Sequence, residues 1–574
     1  MSAIPTFNSR LSVQQFALRV GTWLATSLPA WLVAAAGMVA GIDALALHLG
    51  LLSPLPSLLP IDPDLSEPVV ASAAAIGLVG LAIGLARCKR VAWWLAVAVL
   101  AAALLDQIEL LRHVVPALLA AVCLALLIVT RGRYQVETGT RSRRLAFLLC
   151  GVGAFLAVAS LGVSIGTALG LVSPATDARD LGGALLDWVA FGNPDLAVQA
   201  HLRGGLLLAV TATARVALAG GLIFALAPGE VPPSNEEGDR QATSVADRYG
   251  QGGLLPFQLG HDTERFTAPG RDALVAYGLD GRVAVILGDP IGLPEHAQQT
   301  LYDFLATCPR RDWIPAVYQA SSIGLVPLQA LGYLSYHIGR EAIVDLETFD
   351  LSGARRSNLR HTVTRARHGG VTVAWHPNGL GAGLAGLGDE LLAVETAWRQ
   401  RARASLRFTV SSYQPSDLVT NPVAIAQEPD GRIVAFTTFR PAGRDNGWVL
   451  DLLRRVPGSV PGAVESCLVE AAFGLRSLGA STLSLGLAPL AGLDPRQGSP
   501  VERVLGLGVR MVRHTYDVAG LYFFKAKFDP RWEPRYLVVA RRAHLPSVIL
   551  ALLRLHLGGS RGLLWAGWHL RAAD

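Results

Sequence analysis

Charged residues are scarce in this chain of 574 residues, at 16%, and the mean hydropathy is +0.39. Soluble globular proteins carry nearer a quarter of charged residues, so the composition excludes an ordinary, wholly soluble chain. The scarcity is uneven, because long apolar runs fill Thr22 to Leu226, whereas charge, proline and alternating patterns return from Glu230 onward. This predicts a polytopic α-helical membrane domain followed by a soluble domain.

Six apolar segments are long enough, with their flanks, to cross a hydrocarbon core, which needs about 20 helical residues. Their cores lie at Thr22–Leu47, Pro68–Ala86, Val91–Leu105, Val115–Val129, Leu145–Leu171 and Gly204–Leu226. Basic residues gather on one side, at the N-terminus, at Arg87–Arg90 and at Arg131–Arg144. The positive-inside rule makes that side cytoplasmic, which predicts that both termini and the soluble domain lie in the cytoplasm.

Cysteine is also scarce, and its five positions show no paired spacing. The positions are Cys88, Cys123, Cys150, Cys308 and Cys467. Their scatter excludes a disulfide framework and gives no sign of a zinc site, so no metal and no cofactor are predicted. The net charge of +6 is modest, but its sign favours anionic lipid headgroups and nucleic-acid phosphates.

Lysine is the rarest basic residue, since the only lysines are Lys89, Lys525 and Lys527. Two of them fall within Phe523–Phe528, in a chain that otherwise uses arginine. An ammonium is a compact charge with rotatable donors, which suits a phosphate or a developing oxyanion. The clustering therefore predicts a functional pair, and the alternative is chance on a solvated strand edge.

The pattern of the soluble part predicts two similar α/β lobes in tandem. Strand-like runs and helical patterns alternate twice along it, after a stretch rich in proline and acidic residues that indicates a linker. The predicted divisions are 1–227 membrane domain, 228–253 linker, 254–353 first lobe, 354–370 connecting helix and 371–574 second lobe. The tail from His544 to His569 predicts either an amphipathic helix on a membrane surface or a core helix that closes the last lobe.

The connecting segment, Ala354–His368, is strongly basic. Helical spacing places Arg356, Arg360 and Arg367 on one face, with Arg355 and Arg365 beside it. Clustered arginines neutralise nucleic-acid phosphates, which makes these five residues candidate contacts for tRNA. A solvated helix face is the alternative.

Spaced motifs over most of Gly288–Leu537 resemble the phosphatidylglycerol aminoacyltransferase (lysyltransferase) family, also called multiple peptide resistance factors. The motifs are Gly288–Pro290, Pro315–Gln319, Gly332–Tyr333, Gly339–Asp345, Asp350–Arg360, Asp451–Arg454, Leu485–Leu490 and Gly520–Tyr536. The resemblance implies tandem N-acetyltransferase-like (GNAT) folds joined by a basic helix and anchored to a polytopic membrane domain. Departures at Tyr522, His337 and Arg340 leave substrate detail open.

The same resemblance implies transfer of an amino acid, lysine or alanine, from aminoacyl-tRNA to phosphatidylglycerol at a bacterial inner membrane. It assigns catalytic positions to Asp451, Arg454, Lys525 and Lys527. Asp451 is expected to bind the α-ammonium or to assist deprotonation, and the three cations to hold phosphate and oxyanion. Each could instead form a structural ion pair, Asp451 with Arg454 or Arg455 especially. Because the tRNA ester is already activated, ester exchange needs no ATP and no metal.

Other acceptors, such as diacylglycerol or a peptidoglycan precursor, stay open, as does a lipid transporter with a regulatory soluble domain. Expected partners are aminoacyl-tRNA, phosphatidylglycerol and the membrane, and a homo-oligomer is left open. Arg215 lies deep in the last predicted span, where a charge usually faces a cavity or a partner. It is predicted to bind the lipid phosphate, and an internal pair with Asp43 or Asp106 is the alternative.

Overall fold

The computed structural model describes about two thirds of the chain in two compact units, residues 1–230 with 310–312, and 231–309 with 313–574. The described residues are 30–35, 38, 68–110, 114–139, 142–146, 148–149, 151–153, 155, 220–221, 227–229, 236–381, 384–402, 407–491 and 518–559. Most of the predicted spans Thr22–Leu47, Leu145–Leu171 and Gly204–Leu226, together with Arg215, lie outside the described residues.

The longest helices among the described residues of the first unit are α1 (Pro68–Ala86), α2 (Arg90–Leu110) and α3 (Val114–Val129). They coincide with the second, third and fourth predicted spans. The indole nitrogen of Trp93 donates to the carbonyl oxygen of Leu127 at 2.8 Å, which ties α2 to α3. Among the helices of the described ranges, none combines the length and the apolar character needed to cross a bilayer.

The second unit contains a helix where the sequence predicted a linker. Helix α4 (Glu236–Tyr249) packs through Ala242, Val245 and Ala246, all buried, and is followed by the short α5 (Leu255–Gln258). The linker prediction for 228–253 is therefore wrong over most of its length. The buried positions do have helical spacing, but two of the three are alanines, which contribute little apolar signal among charged neighbours.

Among the described residues of the second unit, twelve strands form one sheet. They are β1 (Glu264–Thr267), β2 (Ala273–Asp280), β3 (Val283–Leu287), β4 (Ile291–Gly292), β5 (Ile314–Ala320), β6 (Leu334–Asp345), β7 (Thr372–His376), β8 (Val423–Gln427), β9 (Ile433–Pro441), β10 (Gly447–Arg455), β11 (Thr482–Pro489) and β12 (Arg531–Val539). The order across the sheet is β1-β2-β3-β5-β12-β6-β11-β10-β9-β8-β7, with β4 beside β2. The apolar runs of β2, β3, β5, β8 and β9 are almost wholly buried, as predicted for interior strands.

Helices connect these strands and cover the sheet. They are α6 (Pro294–Arg310), α7 (Leu325–Ala330), α8 (Ser357–His368), α9 (Leu384–Ala402), α10 (Asp417–Thr420), α11 (Ala463–Ser477), α12 (Val518–Ala526) and α13 (Leu545–Leu557). Helix α13 packs on β2 and β3 through Leu545, Val548 and Ala551. The C-terminal tail therefore includes a core helix, the second of the two predicted alternatives, and it covers strands of the first predicted lobe.

The same layout occurs twice along the sheet. Helix α6 connects β3 to the parallel strand β5, and α11 connects β10 to the parallel strand β11, in each case after antiparallel strands. The next strand beside each of these parallel strands comes from the other half of the chain. Strand β12, from the second half, pairs with β5, and β6, from the first half, pairs with β11. The predicted division at residue 371 is thus crossed by the sheet, and β12 of the predicted second lobe lies between two strands of the first.

Candidate functional site

Strands β10 and β11 separate partway along their length. They pair in parallel at Gly447–Thr482, Trp448–Leu483 and Val449–Ser484, and there the pairing ends. The same register, continued, would place Asp451 opposite Gly486. Both strands are irregular at this point, β10 between Leu450 and Leu453 and β11 between Ser484 and Leu487. A gap therefore opens between the two strands at their carboxyl ends, and strand irregularities of this kind often lie next to active sites.

The corresponding strands of the first half stay together. Strands β3 and β5 pair without a break from Val283–Ile314 to Leu287–Tyr318, and the Gly288 amide then donates to the Tyr318 carbonyl at 2.8 Å. Of the two parallel pairs described, only β10–β11 opens. The candidate site therefore belongs to the second half of the sheet.

Asp451 lies on β10 just past the last paired position. Its side chain is 1% exposed. The Thr438 hydroxyl donates to Oδ2 at 3.2 Å, and Nε of Arg440 lies 3.3 Å from the same oxygen. Oδ1 has no hydrogen-bond partner within the described part of the chain. A buried carboxylate oxygen left without a partner can accept a hydrogen bond from a cationic ligand.

The predicted alternative, a structural ion pair of Asp451 with Arg454 or Arg455, is wrong. The cation beside Asp451 is Arg440. Arg440 also donates to Asp417 at 2.6 Å, so it bridges two carboxylates.

Lys525 reaches the irregular part of β11 from helix α12. It is 5% exposed, and its ammonium donates to the Leu487 carbonyl at 2.8 Å. Gly486 has a left-handed φ of +78°, and a Cβ built there would lie 3.8 Å from Nζ of Lys525. Burial lowers the pKa of Lys525 from 10.5 to about 7, although the nearby Glu341 opposes this shift. An amine with such a pKa exchanges protons readily at neutral pH.

Glu341 is a buried acid on β6 that was not among the predicted site residues. Arg535 of β12 holds its Oε2, with Nε at 2.9 Å and Nη2 also donating, and the Ser484 hydroxyl donates to Oε1. Burial opposes the charge of Arg535, but the pairing with Glu341 raises its pKa above the usual value. The sequence signal was the adjacent charged pair Arg340 and Glu341, which lies among apolar residues at the end of β6.

Arg454 and Lys527, the other two predicted catalytic residues, are held by carboxylates of neighbouring helices. Arg454 donates to Glu395 of α9 and lies 3.8 Å from the ring centroid of Trp398. Lys527 donates to Glu465 of α11 at 2.8 Å. The structure therefore gives these two cations ion-pair partners, and it places Asp451 and Lys525 at the strand gap.

The basic helix does not present its arginines as predicted. The side chains of Arg356 and Arg360 fold back on the preceding loop, where they donate to the carbonyls of Asp350 at 3.2 Å and Leu351 at 2.6 Å. Arg356 is only 14% exposed, so the predicted face of Arg356, Arg360 and Arg367 is wrong as a free surface.

Three of the five predicted tRNA contacts remain open to solvent. Arg355, Arg365 and Arg367 are exposed, and Arg355 lies 4.0 Å from Asp529. Arg365 and Arg367 make no ion pair with any described residue. These two are the cations of α8 that can meet a phosphate without first losing a partner.

The chain is similar to known proteins over this region and beyond it. Residues 247–539 match the family model described as phosphatidylglycerol lysyltransferase, C-terminal. A lysylphosphatidylglycerol biosynthesis bifunctional protein LysX of Mycolicibacterium gilvum is 27% identical over 91% of this chain and 49% of its own length. A phosphatidylglycerol lysyltransferase of Bacillus subtilis is 28% identical over 52% of this chain and 34% of its own length. The chain thus matches half or less of these curated relatives.

A solved structure supports the same comparison. It is the C-terminal domain of a protein from Agrobacterium fabrum described as a lysylphosphatidylglycerol synthetase. It is 27% identical, with a TM-score of 0.50, and the match covers 57% of this chain and 100% of the solved chain.

Proposed function

The chain belongs to the phosphatidylglycerol lysyltransferase family, and from this membership we propose that it transfers an amino acid from aminoacyl-tRNA to phosphatidylglycerol. Lysine is the first candidate, because the relatives' names specify it, and alanine is the second. The reaction exchanges one ester for another. The enzyme must therefore hold two anionic substrates together and stabilise a tetrahedral oxyanion.

The observation that carries the proposal is the placement of Asp451 and Lys525 at the gap between β10 and β11. The free oxygen of Asp451 is suited to the α-ammonium of the aminoacyl group. Neutral Lys525 takes the proton of the attacking lipid hydroxyl as its oxygen bonds to the ester carbonyl carbon. When the bond from that carbon to the tRNA ribose oxygen breaks, Lys525 returns the proton to the ribose oxygen.

Substrate docking follows from the exposed charges and from hydropathy. Arg365 and Arg367, with Arg355 beside them, would neutralise tRNA phosphates. The apolar composition of residues 1–227 and the grouping of their basic residues support a membrane domain in the bacterial inner membrane. On this proposal the catalytic unit is cytoplasmic, its two halves are acyltransferase-like folds, and Arg215 is assigned to the lipid phosphate.

The test uses the purified full-length chain with phosphatidylglycerol vesicles and tRNA charged separately with labelled lysine or alanine. We expect label from one of the two in a lipid that co-migrates with aminoacyl-phosphatidylglycerol. Vesicles that contain diacylglycerol instead test the alternative acceptor. Absence of label from the lipids with every charged tRNA, in a chain shown to be folded, would refute transferase function. Lipid movement that persists in the Asp451→Asn variant would favour a transporter.

A further inference from the structure

We propose that Glu341 is a positioning residue for the amine of Lys525, acting through Ser484 and the irregular segment of β11. This inference rests on the transferase function proposed above and deepens it. Glu341 touches no substrate in this role. It holds the charge and the backbone around the lysine in place, and Arg535 holds Glu341.

The contacts form a continuous path across three adjacent strands. Arg535 of β12 binds one oxygen of Glu341 on β6, and Ser484 of β11 donates to the other. The Ser484 oxygen in turn accepts the Gly486 amide at 3.1 Å. One residue further along β11, the Leu487 carbonyl accepts the hydrogen bond from the ammonium of Lys525. The acid therefore fixes the backbone segment to which the lysine is bound.

The charges around the lysine are of both signs. Glu341 is the acid whose charge acts on Lys525, and Arg535 neutralises part of it. Glu533 lies 3.5 Å from Arg535, Asp289 adds a further electrostatic attraction to Arg535, and Arg340 is exposed. Loss of the Glu341 charge leaves Arg535 with only the weaker attraction of Glu533 and Asp289. The missing acid and the less compensated cation both make protonation of Lys525 less favourable.

The backbone at Gly253 packs directly against Glu341 and Ser484. A Cβ built on Gly253 would overlap Oε1 of Glu341 and the Ser484 hydroxyl. Backbone therefore covers the two side chains directly, and no room is left for water at that point. An enclosed carboxylate has few other hydrogen-bond partners, so it stays in one orientation. A positioning residue must be fixed in this way.

The scarcity of lysine makes the test direct. Carbon-13 lysine incorporated into the full-length chain gives signals from Lys89, Lys525 and Lys527 alone, which Lys89→Arg and Lys527→Arg variants assign. In Glu341→Gln we expect the titration midpoint of Lys525 to fall by about one pH unit or more, a tenfold or greater loss of proton affinity. The limb near neutral pH in the pH–rate profile of lipid aminoacylation should move in the same direction.

Glu533→Gln is the matched control, since this acid also approaches Arg535 but is 37% exposed and is paired with Arg531 at 3.0 Å. It should leave the Lys525 titration unchanged. Ser484→Ala provides a second route, because it keeps the Glu341–Arg535 pair and removes the link to β11. In that variant kcat should fall at least tenfold with KM nearly unchanged.

A folded Glu341→Gln protein in which Lys525 titrates at the wild-type pH would overturn the proposal. If that variant does not fold, a Ser484→Ala enzyme with wild-type kcat would overturn it equally. The titration needs no activity. Should the wild type transfer no amino acid to lipid, the proposed function fails while the influence of Glu341 on Lys525 is still decided.

Discussion

Arg454 of β10 and Glu395 of α9 form an ion pair in which the side chains are 5% and 3% exposed. The guanidinium also stacks on Trp398. Glu395 is shared with Arg399 on the same helix, at 2.8 Å, so one carboxylate serves two arginines. The pair joins α9 to β10 next to the strand gap, and it gives Arg454 a structural role whether or not it also meets substrate.

Removal of the Glu395 charge tests this role. Glu395→Gln should lower the free energy of unfolding by about 3–5 kcal/mol, because Arg454 would stay buried without its counter-charge. The measurement is thermal or denaturant unfolding of the full-length chain. Asp430→Asn is the control, since the Arg432–Asp430 pair is 60% and 64% exposed and should contribute less than about 1 kcal/mol. Equal effects of the two variants would contradict the structural role.

Asp451→Asn should reduce kcat by about a hundredfold or more, because the amide carries no charge for an α-ammonium. Its melting temperature should change little, since Arg440 keeps Asp417 as a partner. Asp417→Asn removes the other carboxylate of the same arginine and is the control. We expect it to retain most of its activity in the lipid aminoacylation assay. Comparable losses in both variants would argue that only the position of Arg440 matters.

Lys525 should also make stability depend on pH. Its folded pKa, about 7, lies below its ordinary value of 10.5, so the unfolded chain binds more protons between these two values. Stability from this group must therefore rise as pH increases from about 7 toward 10, and the burial penalty is fully present below pH 7. Lys525→Met should be inactive but more stable at pH 6, by on the order of a few kcal/mol, with a gain that shrinks toward pH 10. Unfolding at several pH values measures this, and a gain independent of pH would count against a buried charge.

Arg365 and Arg367 should account for part of the salt dependence of tRNA binding. A double Arg365→Gln and Arg367→Gln variant should bind tRNA more weakly and lower the slope of log Kd against log salt by about 2. Arg432→Gln, an exposed arginine on the β8–β9 turn, is the control and should leave the slope unchanged. Filter binding at several salt concentrations provides the measurement. An unchanged slope in the double variant would place the tRNA elsewhere.

Gly253→Ala should disturb the Glu341 network, because the added methyl group overlaps both Glu341 and Ser484. We expect lower activity and a loss of stability of about 1–3 kcal/mol. Gly386→Ala in α9 is the matched control: its Cβ would meet nothing within 4 Å, so helix propensity should make it neutral or slightly stabilising. Activity and melting temperature of the two variants distinguish them, and similar behaviour would mean that the Gly253 contact is relaxed at no cost.

The sequence predicted the elements whose apolar pattern is local. Strands β3 and β9 are continuous apolar runs, and helices α6 and α11 carry apolar residues at helical spacing, so the local pattern accounts for all four. Strand β12 was not predicted as a strand, because Pro534 and three charged residues interrupt its first half.

The candidate site was predictable only in part. Lys525 stood out through the rarity of lysine, and Asp451 through its motif. Arg535 and Glu341, in contrast, are 194 positions apart, and no local pattern shows that β12 will lie beside β6. The partners of Arg360 are loop carbonyls, which no residue type reveals, and Arg356 adds the Asp350 carboxylate to its loop carbonyls.

The exchange of strands between the halves has a consequence for synthesis on the ribosome. Strands β5 and β6 are complete once residue 345 has been translated, yet the strand that fills the space between them starts only at Arg531. Until then both present open hydrogen-bonding edges, which are prone to association with other chains. The first half of the sheet therefore cannot be completed until almost two hundred further residues have been synthesised. Any truncation before β12 should yield an insoluble product and not a smaller folded protein.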